Sequence, residues 1–157
     1  MSAHEPTDRG RDTVPATRAG RGVVGYAPGI FDMFHVGHLN ILRRAWLQCH
    51  HLVAGVVSDE AARQVKGRWP VVPEEERLAV VDAMRFVDRA ILEWTSDRLA
   101  IWEALRFDVL YKGDDWKGSA AGLEQERQFA RVGVDVVYLP YTSHTSTTRL
   151  RSVTRND

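Results

Sequence analysis

The chain has 157 residues, and 21 Lys+Arg against 21 Asp+Glu leave no formal net charge; this fits one domain with no bulk attraction to nucleic acid or an anionic membrane. A hydrophobic fraction of 44% with 27% charged residues excludes wholesale disorder. The single cysteine, Cys49, excludes an intramolecular disulfide and a thiolate zinc site, and no apolar run approaches the roughly 20 residues that span a bilayer. The expectation is a soluble, cytoplasmic, single-domain protein with neither nucleic acid nor membrane as partner. Residues 1–21 hold no aromatic side chain and no apolar stretch of the kind a secretory signal needs. They read as a flexible N-terminal tail that buries too little apolar surface to offset its ordering entropy.

From residue 22 onward, short apolar runs alternate with helical patterns. Strands are expected at 23–27, 52–57, 87–92, 107–111 and 134–139, mostly continuous rather than alternating, as in strands buried on both faces. Helices are expected at 39–49 and 74–84, then from a Ser96 cap through Leu99, Ile101, Trp102 and Leu105. Two more follow, at about 123–132 and as a short helix after Ser146. This order implies an α/β fold, a doubly wound five-stranded parallel sheet spanning residues 22–157. Ligands bind at the carboxyl ends of strands in such sheets, so the loops after each run are where chemistry belongs. Gly20-Arg21-Gly22-Val23-Val24-Gly25 spells G-x-G-x-x-G. It precedes or enters the first strand rather than opening a helix, so it is not a dinucleotide fingerprint.

The first strand runs into Gly29-Ile30-Phe31-Asp32-Met33-Phe34-His35-Val36-Gly37-His38. The i, i+3 spacing sets His35 and His38 on one side of a helical turn, and Gly37 between them admits a close ligand. The N–H groups of a helix N-terminus point the same way, so the pattern suits a polyphosphate. A core-histidine or zinc role for the same pair remains open at the level of sequence.

GIFDMFHVGH resembles the GxFDxxHxGH signature of the cytidylyltransferase-like nucleotidyltransferases, and the resemblance runs over about residues 22–153. It implies a Rossmann-like nucleotidyltransferase fold in which the two histidines contact a nucleoside triphosphate. Ser146-Thr147-Thr148-Arg149 is similar to that family's ISTT[RK] segment at the start of the last helix. Val65-Lys66-Gly67 falls where the family carries a phosphate-contacting lysine, read here as a cation on a Gly-containing loop. Arg77 and Arg85 resemble arginines of the family's ER…RYVD segment, as substrate-phosphate contacts or as structural ion pairs. Lys112-Gly113-Asp114-Asp115-Trp116-Lys117-Gly118 is similar to the MGDDWEGK segment of bacterial glycerol-3-phosphate cytidylyltransferases. There Asp115 would accept a base amino group and Trp116 would wall the base pocket.

The resemblance thus implies His35, His38 and Lys66 as catalytic residues. It implies nucleotide contacts from Gly29, Ile30, Phe31, Asp32, Gly37, Gly113, Asp115, Trp116, Thr142, Ser146, Thr147 and Thr148. The expected reaction couples CTP to a phosphorylated alcohol, glycerol 3-phosphate first, giving CDP-glycerol and pyrophosphate. Mg²⁺ is expected with the triphosphate, with Asp32 as a helper or as a turn residue, and a homodimer is expected. Tyr141 stands where cytidylyltransferases carry Arg; related adenylyltransferases acting on sugar phosphates also lack that Arg, so ATP with a sugar phosphate is the alternative. A non-catalytic nucleotide-binding module is the reading from another class.

Overall fold

In the computed structural model, which describes residues 20–140 and 150–152, strands and helices alternate along the chain. The strands are β1 (Val24–Gly29), β2 (His51–Val57), β3 (Arg89–Glu93), β4 (Val109–Gly113) and β5 (Asp135–Leu139). The helices are α1 (Val36–Trp46), α2 (Asp59–Lys66), α3 (Glu74–Asp82), α4 (Arg98–Leu105) and α5 (Ala120–Ala130). All strands pair in parallel, in the order β3-β2-β1-β4-β5, so the doubly wound sheet expected from sequence is present. Tail residues 1–19 lie outside the described residues, as do 141–149, which include most of the expected final helix; residues 150–152 are helical. Arg21, grouped with the tail in sequence, donates to Asp108 Oδ1 (2.8 Å) and the Arg106 carbonyl (3.2 Å).

Two apolar layers sandwich the sheet. On one side Leu42, Ala45 and Trp46 of α1 and Val81 of α3 pack with Ala54 and Val56. On the other, Ile101 of α4 and Phe129 of α5 pack with Tyr26, Val53, Ile91 and Leu110. β2 is buried from Leu52 to Val57 because both layers cover it. Val24-Gly25 opens β1 rather than a helix: a Cβ on Gly25 would lie 2.6 Å from the Tyr111 ring.

Several boundaries differ from the sequence reading, each for a local reason. β1 runs on through Pro28 to Gly29, two residues past the apolar run. The β1–β4 ladder pairs Gly25 and Tyr26 with Val109 and Leu110, so Pro28 lies beyond it and its missing N–H costs no ladder bond there. β3 begins at Arg89 rather than Val87, because Asp88 closes the preceding turn by exchanging hydrogen bonds with Leu52. α4 is capped by Asp97, whose carboxylate accepts from Leu99 N and Ala100 N, and not by Ser96. α2 ends on Lys66 itself, with Gly67 closing it at φ 72°, so Lys66 is a helix-terminal residue and not a loop residue. Among the described residues no helix is long and apolar enough to cross a membrane.

Candidate active site

The β1–α1 turn carries Phe31 at φ 55° and Met33 at φ 47°. Side chains avoid that left-handed region, and such residues persist where their surroundings over-determine them. The surroundings here are two buried charges. Asp32, 2% exposed, accepts from Val71 N and Val72 N (2.9 Å each) and from the Arg151 guanidinium (2.5 Å). Arg77, 1% exposed, donates to the carbonyls of Ile30 (2.6 Å), Val57 (2.8 Å) and Val72 (2.8 Å) and to Asp59 Oδ1 (2.6 Å). Between them these side chains clamp the turn against the end of β2, the loop before α3 and residues 150–152.

On that turn His35 caps α1. Its Nδ1 accepts from Gly37 N (3.0 Å), while His38 Nδ1 accepts from His35 N (3.3 Å), and the rings stack 3.9 Å apart. The histidines therefore consume two of the helix-end N–H groups that the sequence reading left free for an anion. The same geometry fixes the tautomer: with Nδ1 accepting, the proton of each neutral ring sits on Nε2, which becomes a hydrogen-bond donor. Burial, then the neighbouring His35, hold His38 down at about 3, and burial lowers His35. Both rings are neutral donors at pH 7.

A cavity of about 380 Å³ opens at the carboxyl ends of the strands, a size ordinary for small-molecule sites. The chain's return from β3 to β4 makes β1 and β4 neighbours at its floor, where the winding direction reverses. Of the residues nominated by sequence, Gly29, Ile30, Phe31, Asp32, His38, Lys66, Gly113, Asp115 and Trp116 line it. His35 and Gly37 are not among the residues that line it. Thr142, Ser146, Thr147 and Thr148 lie outside the described residues. For two residues the sequence left alternatives open. Arg77 fits the structural ion-pair alternative, since it is buried and its guanidinium serves the chain's own oxygens. Asp32 fits the turn-residue alternative, with both carboxylate oxygens accepting hydrogen bonds within the turn's surroundings. Arg85 is exposed on the α3–β3 connection, away from the cavity.

The wall also holds charges that the sequence reading did not nominate. Glu93 at the end of β3 (5% exposed) and Lys112 in β4 (7% exposed) face the cavity with Arg98. Tyr26 Oη donates to Glu93 Oε1 (2.6 Å), and Lys112 Nζ rests 3.8 Å from the Trp116 ring centre. Burial and then Arg98 bring the Lys112 ammonium down to about 7, against the pull of Glu93 and Asp115. The available signal was a charge at the very end of an otherwise apolar run, AILE and VLYK, the position facing a crevice. Among the described residues no cluster of three or more His, Cys, Asp or Glu side chains could hold a metal.

The sequence model for cytidylyltransferase-like proteins matches residues 26–153. The chain belongs to the cytidylyltransferase-like family, a family of nucleotidyltransferase-type enzymes. Among its relatives, the bifunctional protein HldE of Acidiphilium cryptum is 35% identical over 132 residues, covering 82% of this chain and 27% of that protein. The FAD synthase of Pyrococcus abyssi is 34% identical over 122 residues, covering 77% of this chain and 80% of the relative. The chain spans about a quarter of the length of the HldE proteins it matches. Among solved structures, a lipopolysaccharide core biosynthesis protein from Thermoplasma volcanium superimposes with a TM-score of 0.67 at 28% identity, over 79% of this chain and 99% of that one. Pantothenate synthetase from Thermus thermophilus, at 16% identity and TM-score 0.55 over 92% of this chain and 67% of that one, shares the fold.

Proposed function

We propose that this member of the cytidylyltransferase-like family transfers a nucleotidyl group from a nucleoside triphosphate to a small phosphomonoester. The observation that carries this reading is the stacked pair His35 and His38, neutral and with Nε2–H donors, at the start of α1 beside a cation-lined cavity. An oxygen of the acceptor's phosphate attacks the α-phosphorus, the bond to the β-phosphate breaks, and pyrophosphate leaves with the bonding pair. The acceptor's second pKa is near 6, so it is already largely dianionic at neutral pH and no general base is required. What the chain supplies is in-line positioning and charge neutralisation. His38, with His35 beside it, donates to phosphoryl oxygens, and Lys66 at the end of α2 offers a cation in the same cavity. Mg²⁺ bound with the nucleotide would add neutralisation of the phosphate charge.

For the nucleotide, we propose ATP first. The support is the FAD synthase relative, whose named product contains an adenine nucleotide and whose length the match covers almost throughout. CTP with glycerol 3-phosphate is the second reading, favoured by Lys112-Gly113-Asp114-Asp115-Trp116-Lys117-Gly118, whose Asp115 and Trp116 line the cavity. Thr142, Ser146, Thr147 and Thr148 are proposed to complete the nucleotide's seat, and the cytoplasm is the proposed compartment. The test is pyrophosphate release from ATP or CTP with a panel of phosphomonoesters, the product identified by mass. Turnover with one nucleotide and not the other settles the base. No turnover with any pair, while nucleotide still raises the melting temperature, makes the chain a binding module instead.

A further inference from the structure

Gly55 and Gly122 each leave a space that another group fills. Tyr26 pairs with Val53 and Leu110, and Val57 pairs with Glu93. Steps of two along each strand keep one face, so Tyr26, Gly55, Glu93 and Lys112 all share it. Tyr26 reaches Glu93 by crossing Gly55, where a Cβ would stand 2.0 Å from the tyrosine hydroxyl. The neighbour there is the end of a side chain. At Gly122, in the first turn of α5, the neighbour is backbone: a Cβ would stand 2.2 Å from the Trp116 carbonyl oxygen.

Trp116 ends a three-residue 3₁₀ turn, Asp114–Trp116, closed by Lys117 N donating to Asp114 O (3.1 Å). Such turns have weak hydrogen-bond geometry of their own, and here the start of α5 braces the turn. Ser119 donates to Trp116 O twice, from its N (3.2 Å) and from its Oγ (2.7 Å). The same Oγ accepts from Gly122 N (3.0 Å) and so caps α5. The far side of Gly122 has no slack either. A Cβ there would also stand 3.1 Å from Tyr138 Oη of β5, which donates to Glu126 Oε1 of α5 (2.5 Å). The bare Cα of Gly122 thus sets how closely α5 approaches the turn, and Ser119 fixes the carbonyl. On the cavity side the indole lies 3.8 Å from Lys112 Nζ. Trp116 lines the cavity, while Ser119 and Gly122 are not among its lining residues.

We propose that Ser119 and Gly122 are positioning residues for nucleotide binding, acting through the Trp116 backbone to hold its indole in the cavity wall. The proposal rests on the nucleotidyl-transfer reading, with Trp116 as a wall of the nucleotide's seat. A helix-stability role alone predicts something else. Glycine inside a helix is less favourable than alanine, so at an unobstructed position Gly122→Ala would stabilise the chain; here the added methyl forces helix and turn apart. Chemistry also separates the two jobs of Ser119. Aspartate caps a helix about as well as serine, but an ionised carboxylate only accepts. Ser119→Asp therefore keeps the cap and loses the donor to the Trp116 carbonyl, while Ser119→Thr keeps both.

The test is calorimetric titration of the full chain with the non-hydrolysable α,β-methylene analogues of ATP and CTP, alongside nucleotide KM and kcat. Gly122→Ala and Ser119→Asp are each expected to weaken the better-bound analogue about tenfold and to raise nucleotide KM about as much. Their kcat should stay within about twofold, because His38 and Lys66 are untouched. Ser119→Thr is expected to bind within about twofold of the wild type. Trp116→Ala is expected to weaken the analogue about tenfold, and Gly122→Ala added to it to change binding by less than about twofold, since both act through one group. Melting curves establish that each variant is folded; should Gly122→Ala fail to fold, the Asp and Thr substitutions at Ser119 decide. Unchanged binding in folded Gly122→Ala or Ser119→Asp overturns the assignment. So does a raised melting temperature for Gly122→Ala, an equal loss with Asp and Thr at Ser119, or an additive loss with Trp116→Ala. The expected binding pattern in a chain that releases no pyrophosphate overturns the transfer reading and leaves the bracing of Trp116 standing. A wild-type chain that binds neither analogue overturns both.

Discussion

His38 combines two jobs that pull its protonation one way. Its Nδ1 holds a backbone N–H, and its burial opposes charge, so the folded chain keeps it neutral down to about 3. An unfolded chain takes up a proton near 6.5. Between those values the unfolded state binds more protons, so this contribution to stability is lost as pH falls from 6.5 toward 3. His38→Gln should flatten the slope of stability against pH in that window, measured by urea melts at several pH values. His38→Ala should lower kcat by on the order of 10²–10³, as loss of one preorganised donor does elsewhere; an unchanged kcat would remove His38 from the chemistry. Lys112 behaves in a related way at higher pH. Its ammonium titrates at about 7 when folded and 10.5 in its ordinary state, so stability rises with pH across that window. Replacing it by Met should raise the melting temperature at pH 7, by about 2–4 °C for each kcal/mol gained. A drop in melting temperature would show that Lys112 is a structural cation.

At the scale of elements, helix ends carry much of the site. α2 delivers Lys66 because Gly67 stops the helix at φ 72° with space around it. Gly67→Ala should cost on the order of 1 kcal/mol and displace Lys66, read as a raised KM for nucleotide or acceptor. α4 is capped by Asp97, next to Arg98; Asp97→Ala should cost about 1 kcal/mol. Arg77 binds the β1–α1 turn, the end of β2 and the loop before α3 into one unit. Arg77→Met strands the carbonyls of Ile30, Val57 and Val72 and the Asp59 carboxylate, for a loss of about 3 kcal/mol in chemical unfolding. The elements themselves were readable from apolar periodicity, and so was the His-x-x-His turn. Their ends were not, because they depend on partners far away in the chain: Asp88 on Leu52, and Pro28 on where the β4 ladder stops. Arg77 was ambiguous for the same reason, since an arginine's partners at 30, 57, 59 and 72 cannot be read from its neighbours.

On the scale of the whole molecule, the strand order makes the site composite. Histidines come from the start of α1, Lys66 from the end of α2, Glu93 from β3 and Lys112 from β4. The sequence motif marked the first two groups, because a strand-to-helix turn with two histidines is a local pattern. Glu93 and Lys112 became visible only when pairing register placed them on one face. The crossing of Tyr26 over Gly55 shows what such a long-range juxtaposition implies for heredity. Two positions that are 29 apart in the chain share one volume, so neither can vary alone. In a combinatorial library randomising both, clones with any side chain at 55 should survive selection for folding only when residue 26 has shrunk, and glycine should dominate wherever an aromatic is kept.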